Sequence, residues 1–319
     1  MTGAPPWTPE QIPDLTGRRA LVTGVTSGIG EKTVLELARH GAEVILGARN
    51  RTKLDKTMAH VREALPEATL HPLVIDLSDL TSVRLAAEQA AALGPLHLLV
   101  NNAGVMATPY HRTADGFELQ MATNHFGPFA LTGLLMQRLI ESGDARVVTV
   151  SSQASRFART APLDDPRMHG HYRRWRAYSQ SKLANLLFTL ELDRRTTRLE
   201  VPVKALAAHP GYAATGLMGT GYNTGNTRER LRFSATILQA AFELAGQPPA
   251  LGALPTLMAA TSDLPGASYV GPDGPLQMRG HPRVVNPRRL ARDAGTARRL
   301  WQISEEATGV RYLDDPVTL

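Results

Sequence analysis

With 319 residues, 43% of them apolar and 20% charged, the chain is long enough to bury a full core and has the composition of one large globular domain. It contains no cysteine, which excludes disulfides, thiolate zinc sites, iron–sulfur clusters and cysteine nucleophiles. The net charge of +6 comes from arginines scattered along the chain with no aromatic platform between them, so nucleic acid is not an expected partner.

No run of about 18 apolar residues predicts a membrane span, and the start lacks the basic-then-apolar pattern of a secretory signal. A cytoplasmic protein is therefore expected. Residues 1–17 read as an N-terminal extension. Arg19–Thr23 is an apolar run ending on a glycine-rich turn, the pattern of a first strand. Ile29, Thr33 and Leu37, with Val34 and Ala38 beside them, mark one face of a helix that Gly41 closes. A second strand follows at 43–46 with a helix over 54–64, then a third strand at 70–75 with a helix over 78–92 that Ser78 would cap. Residues 96–100 form the fourth strand, 115–141 carry a long helical pattern, and Ala145–Val150 is the fifth strand. Over 178–192, Leu183, Leu186, Leu187 and Leu190 share a helix face; Val203–Ala208 is the sixth strand and 268–270 a short seventh.

Strands alternating with helices predict parallel βαβ units joined by right-handed crossovers. The fold expected is α/β: a single doubly wound domain over 18–319, with a central parallel sheet of about seven strands and helices on both faces. Such sheets bind ligands at the carboxyl ends of their strands. The stretch 212–250 begins rich in glycine and threonine and becomes amphipathic, with Leu217, Met218, Leu231, Phe233, Ile237, Leu238 and Phe242 as apolar bulk. It is long for a connection, which predicts a substrate loop or lid. A helix packed on the core or on another subunit fits the same pattern.

Thr23-Gly24-Val25-Thr26-Ser27-Gly28-Ile29-Gly30 places three glycines between the first strand and its helix. Glycine allows a tight turn and close approach of backbone to a pyrophosphate, and the helix start offers free N–H groups. A purely structural glycine turn could share this spacing. The spacing T-G-x-x-x-G-x-G resembles that of the short-chain dehydrogenase/reductase superfamily. Asn101-Asn102-Ala103-Gly104 after the fourth strand, Ser152 after the fifth, Tyr178-Ser179-Gln180-Ser181-Lys182 as Y-x-x-x-K and Pro210-Gly211 after the sixth extend the resemblance in the family's order. A narrower similarity, to the retinol dehydrogenase / WW-domain oxidoreductase branch and its protochlorophyllide reductase-like relatives, is carried by residues 124–129, 178–188, His209-Pro210-Gly211, 271–274 and 300–312. The missing cysteine argues against protochlorophyllide photochemistry, and no WW domain precedes the fold.

The resemblance implies a Rossmann-type domain and an oxidoreductase that interconverts an alcohol and a carbonyl. Tyr178 would be the general acid/base, with its pKa lowered by Lys182 one helical turn away. Ser152 would hydrogen-bond the substrate oxygen, and Asn124 would complete a proton relay through water and Lys182. By the same resemblance Gly24, Thr26, Ser27, Gly28, Ile29 and Gly30 meet the pyrophosphate, and Asp76 and Leu77 the adenine. Asn102, Ala103 and Gly104 line the cleft, Tyr178 and Lys182 reach the nicotinamide ribose, and Pro210, Gly211 and Thr215 contact the nicotinamide end. Ser151-Ser152-Gln153-Ala154-Ser155-Arg156 departs from the family's S-S-x-x-x-H and S-S-x-x-G, a difference that bears on pocket shape.

The end of the second strand reports on the cofactor. Where NAD-dependent relatives carry an aspartate for the ribose 2′-hydroxyl, this chain has Ala48, followed by Arg49 with Arg51 and Lys53 nearby. A guanidinium suits a 2′-phosphate, so the cofactor expected is NADP(H). The branch suggests an apolar small-molecule carbonyl or alcohol substrate, retinoid-, steroid- or lipid-like. A protein that senses NADP(H) without turnover would share the glycine turn but has no need of Asn124, Ser152, Tyr178 and Lys182 together. His169 and His171 lack further ligands at coordinating spacing, so no metal is expected. The superfamily often forms homo-oligomers through its long helices, here about 115–141 and 178–195.

Overall fold

β1 (Arg19–Thr23) lies at the centre of the sheet, paired in parallel with β2 (Glu43–Ala48) on one side and β4 (Leu98–Asn101) on the other. The computed structural model describes residues 5–26, 28–163, 172–211 and 247–314. β3 (Leu70–Val74), β5 (Ala145–Val150), β6 (Val203–Ala208) and β7 (Tyr269–Pro272) continue the parallel sheet, and β8 (Pro282–Val284) closes one edge antiparallel to β7. The order is β3-β2-β1-β4-β5-β6-β7-β8. The chain therefore winds outward from β1 to β3, returns to β4 and winds outward the other way. Crossovers leaving β1 and β4 in opposite directions open a crevice at the carboxyl ends of these two strands.

The strands are short and apolar because both faces of the sheet are covered. Successive residues of β1 serve different layers. Ala20 and Val22 join a core with α1 (Gly28–Arg39), α2 (Arg51–Ala64) and α8 (Pro249–Thr261), while Leu21 joins one with α3 (Leu80–Ala91), α5 (Gly127–Leu134) and α7 (Arg174–Arg198). Trp301 of α9 (Ala294–Thr308) packs in this second layer, and the Arg195 guanidinium lies 4.4 Å from the centre of its ring. Within the extension over 1–17, Ile12 and Leu15 are buried in the α1 layer and Trp7 packs against it.

Several elements differ from their sequence patterns. The eighth strand has three residues, starts on a proline and buries one of them, too little to give an alternation. The N-cap of α3 is Asp79, whose carboxylate accepts from the Thr81 and Ser82 amides at 2.8 and 3.3 Å. Ser78 instead turns back to Asp76, its amide donating at 2.9 Å and its hydroxyl at 2.6 Å. Helix α8 is buried nearly all round, so it shows no amphipathic period, and its Pro255 argues against a helix on sequence alone.

The helical pattern over 115–141 is not one helix. Arg112 and Glu118 form a β-bridge, α4 (Leu119–Met121) is a single turn, and Ala122–Phe126 is a π-helical turn before α5 and α6 (Met136–Glu141). Pro128 follows this turn and has no N–H to offer the Asn124 carbonyl in the α-helical pattern. π-Turns inside helices recur at functional sites, and this one carries Asn124.

Candidate active site

The turn after β1 is built by close approach. Gly24 has φ +72°, and a Cβ there would lie 2.7 Å from the Ala103 Cα. A Cβ on Gly30 would lie 2.3 Å from the Gly24 carbonyl oxygen and 2.6 Å from Asn102 Nδ2. The segment after β4 is thus stitched onto the turn. Asn102 Nδ2 donates to the carbonyls of Thr23 (2.8 Å) and Gly24 (3.2 Å), and the amides of Asn102 and Ala103 both donate to the Thr23 hydroxyl at 3.1 Å. Gly28, Ile29 and Gly30 open α1, so its N-terminal amides and Thr26 sit at the mouth of the β1–β4 crevice. Ser27 lies outside the described residues.

The Y-x-x-x-K pair lies in the first half of α7. Tyr178 is buried, with the Ser152 hydroxyl beside its phenol, and the half-exposed Trp175 packs edge-on against its ring at 6.3 Å. Ser152 follows β5, and its hydroxyl accepts from the Ala154 amide at 3.1 Å, capping the short 3-10 turn Gln153–Phe157. Lys182 Nζ donates to the Val150 carbonyl at 2.9 Å. Burial pushes the Lys182 ammonium down to about 8. Burial also raises the Tyr178 phenol above its usual value, and the neighbouring Ser152 hydroxyl offsets part of that rise. The lowering of Tyr178 by Lys182 expected from the sequence is not realised here, because the ammonium turns to Val150 and burial dominates.

Asn124 is held on both sides. Its Oδ1 accepts from the Val105 amide at 2.8 Å; its Nδ2 donates to the Val105 carbonyl and to the Ser181 hydroxyl, both at 2.9 Å. The amide group therefore ties the β4 loop to α7. A Cβ on Gly104 would stand 3.1 Å from Asn124 Oδ1 and 3.3 Å from Lys182 Nζ, so these groups converge above one residue. Three segments distant in sequence bring Asn124, Ser152, Tyr178 and Lys182 to the carboxyl end of the sheet.

Of the remaining expected cofactor residues, Arg49 follows β2, exposed and without a hydrogen bond or ion pair to any described residue, next to the buried Ala48. Arg51 is engaged with Asp55, Nε lying 2.8 and 3.0 Å from its two carboxylate oxygens. Asp76 is half-buried after β3, and Leu77 is buried against Gly127. Pro210 and Gly211 follow β6. The Gln247 side chain donates to the Pro210 carbonyl at 2.6 Å, and the Gly211 amide donates to His209 Nδ1 at 3.2 Å. Burial pushes His209 down to about 4, so it is a neutral structural acceptor. Thr215, residues 212–246 of the lid segment, and His169 and His171 lie outside the described residues.

Three supporting residues escaped the sequence reading. Thr23 anchors the β4 loop, Ser181 receives Asn124, and Asn185 Nδ2 donates to the Val150 carbonyl at 3.2 Å beside Lys182. Ser181 and Asn185 stand three and seven residues beyond Tyr178, and that helical spacing was the available signal.

A family model for short chain dehydrogenase matches residues 18–224. Human retinol dehydrogenase 13 is 38% identical over 299 residues, covering 93% of this chain and 86% of that protein. A crystal structure of a Mycobacterium paratuberculosis protein superposes with a TM-score of 0.77 at 40% identity, covering 96% of this chain and 98% of the other. A Beutenbergia cavernae protein assigned as an NAD(P)-dependent gluconate 5-dehydrogenase, with NADP bound at low occupancy, is 25% identical with a TM-score of 0.58, over 78% of this chain and 91% of that one.

Proposed function

We propose a function from one premise: the chain belongs to the short chain dehydrogenase family and is an oxidoreductase. The finer reading is an NADP(H)-dependent enzyme that interconverts an apolar carbonyl with its alcohol, with Tyr178 as acid and base. The observation that carries it is the convergence of buried Tyr178, Ser152, Asn124 and the buried Lys182 at the carboxyl ends of β4 and β5, beside the crevice between β1 and β4.

The residues present fit a dinucleotide phosphate. The turn at Gly24 and Gly30 has no room for side chains, and the α1 amides above it suit a pyrophosphate. At the adenosine end the Arg49 guanidinium bonds to none of the described residues and the residue ending β2 is Ala48 and not a carboxylate, which favours a ribose 2′-phosphate over a bare 2′-hydroxyl. The Beutenbergia protein's bound NADP supports the same reading. When bound, the cofactor supplies or accepts the hydride. Lys182 and Tyr178 would hold its ribose hydroxyls, and Asn102, Ala103 and Gly104 would line its path.

Ser152 and Tyr178 would together receive a carbonyl oxygen. A buried tyrosine whose pKa is raised keeps its proton at neutral pH, the state required of an acid that protonates the developing alkoxide. The Ser152 hydroxyl stabilises charge on that oxygen. Lys182 remains charged at neutral pH and returns a proton toward Tyr178. The amide of Asn124 is fully engaged, so a relay water would sit on its main-chain carbonyl, which Pro128 leaves without an α-helical donor.

The test follows NADPH absorbance with a panel of apolar aldehydes and ketones, and NADH in parallel. Consumption of NADPH in preference to NADH supports the reading. Tight NADPH binding with no turnover across the panel would favour a dinucleotide-sensing protein instead.

A further inference from the structure

Beside the site, the buried Glu118 and Gln120 and the half-buried Tyr172 form a polar knot that the proposed mechanism does not use. Tyr172 Oη lies 2.7 Å from Gln120 Nε2, 3.0 Å from the Thr108 carbonyl oxygen and 3.0 Å from Glu118 Oε1. The Gln120 amide is oriented without ambiguity. Its Oε1 accepts from the Ala107 amide at 2.8 Å, and its Nε2 also donates to the Arg174 carbonyl at 3.0 Å. Gln120 is therefore a donor to Tyr172.

The phenol has one proton and faces two acceptors if Glu118 is ionised. One oxygen pair at 3.0 Å would then have no hydrogen between them, beside the buried Thr108 and Glu118. A protonated Glu118 removes the conflict: its O–H donates to Tyr172, and Tyr172 donates to Thr108. Glu118 Oε2 accepts from the Met121 amide at 2.8 Å, as the acid's carbonyl oxygen can. Glu118 is wholly buried, and burial pushes its carboxyl above the usual range. Among the described residues no cation compensates it, and Tyr172 is the titratable group in contact. His111 and Arg112 across the backbone bridge, and Arg174 at the start of α7, are solvent-exposed, and Asp115 is bound to the Leu80 amide.

The knot joins two segments that flank Tyr178. Ala107 and Thr108 belong to the loop leaving Gly104, and Tyr110 on that loop packs on the Tyr172 ring at 5.2 Å. Tyr172 and Arg174 lead into α7. We propose that Glu118 is carried as a neutral carboxylic acid and is a positioning residue, locking the 105–110 loop to the start of the catalytic helix and so fixing the wall against which substrate docks. The docking role rests on the function proposed above; the protonation state does not.

Glu118→Gln mimics the neutral acid, since its amide can donate to Tyr172 and accept from Met121. Relative to this variant, the wild type should lose stability as pH rises from the unfolded-state value of 4.5, because the folded acid holds its proton longer than the unfolded one. Urea unfolding of both proteins from pH 5 to 9 reads this without any substrate; a gap independent of pH overturns the neutral acid. Tyr172→Phe keeps the ring and removes the three-way bond. It should expose the Ala107 amide to hydrogen exchange and raise KM for the carbonyl about tenfold, with NADPH affinity unchanged and Glu118→Gln near wild type. Unaltered exchange and KM in Tyr172→Phe overturn the positioning role. A wild type without turnover counts against the proposed function, and the exchange result still decides the lock.

Discussion

Replacing Lys182 by methionine should make the protein more stable and inactive at once. The side chain is 3% exposed, and burial lowers its pKa from 10.5 to about 8, so at neutral pH the fold holds an ammonium that its surroundings disfavour. A shift of that size corresponds to about 3 kcal/mol at ~1.4 kcal/mol per pH unit. Between about 8 and 10.5 the unfolded chain binds more protons than the folded one, so wild-type stability rises with pH across that window and the penalty is present in full below it. Methionine has similar reach and no charge. It gives up the donation to Val150, roughly 1 kcal/mol net, but that carbonyl keeps the Asn185 amide at 3.2 Å. The balance is a gain of about 2 kcal/mol at pH 7, or roughly 4 °C in Tm for a domain of this size. Urea unfolding of the cofactor-free proteins at pH 7 and pH 10 measures it. The variant should lead at pH 7, and the gap should narrow at pH 10. A variant less stable than wild type at pH 7, or a gap equal at both pH values, would refute the reasoning.

Gly30→Ala drives a methyl into the Gly24 carbonyl and Asn102. It should destabilise the protein by about 1–3 kcal/mol as an overpacked core position does, and weaken NADPH binding more than tenfold by calorimetry; unchanged binding would remove the turn from the cofactor site. Arg49→Ala should raise the NADPH KM about tenfold, equivalent to ~1.4 kcal/mol, and leave the NADH KM unaltered. Equal effects on both cofactors would mean that Arg49 does not read a 2′-phosphate.

The sheet was legible from Arg19 to Ala208 because each strand is a short apolar run followed by turn chemistry or a helical period. Helix α8 and β8 were not, since a helix buried all round and a three-residue edge strand leave no periodicity to read. The broken course of 115–141 was hidden for another reason. Its apolar spacing is helical throughout, while the π-turn depends on Pro128 and on Asn124 bonding to a loop remote in sequence. In the candidate site, motif and order point to Tyr178, Lys182, Ser152 and Asn124, and the fold brings these residues together. Their electrostatics could not be read from the sequence. That Lys182 turns to Val150, and that burial outweighs it at Tyr178, follows from packing between β5 and α7. The knot at Glu118 is likewise a product of three segments meeting, and no local pattern marks a glutamate that folds without its charge.

In the proposed reaction Tyr178 transfers the proton of an NADPH-dependent carbonyl reduction. Tyr178→Phe removes one hydroxyl from a buried ring and leaves its packing against Trp175 in place. Single-turnover oxidation of bound NADPH should fall by at least a hundredfold, on the order expected for loss of a positioned general acid, while NADPH binds the variant within a fewfold of wild type. A variant that turns over at near the wild-type rate would remove Tyr178 from the proton transfer.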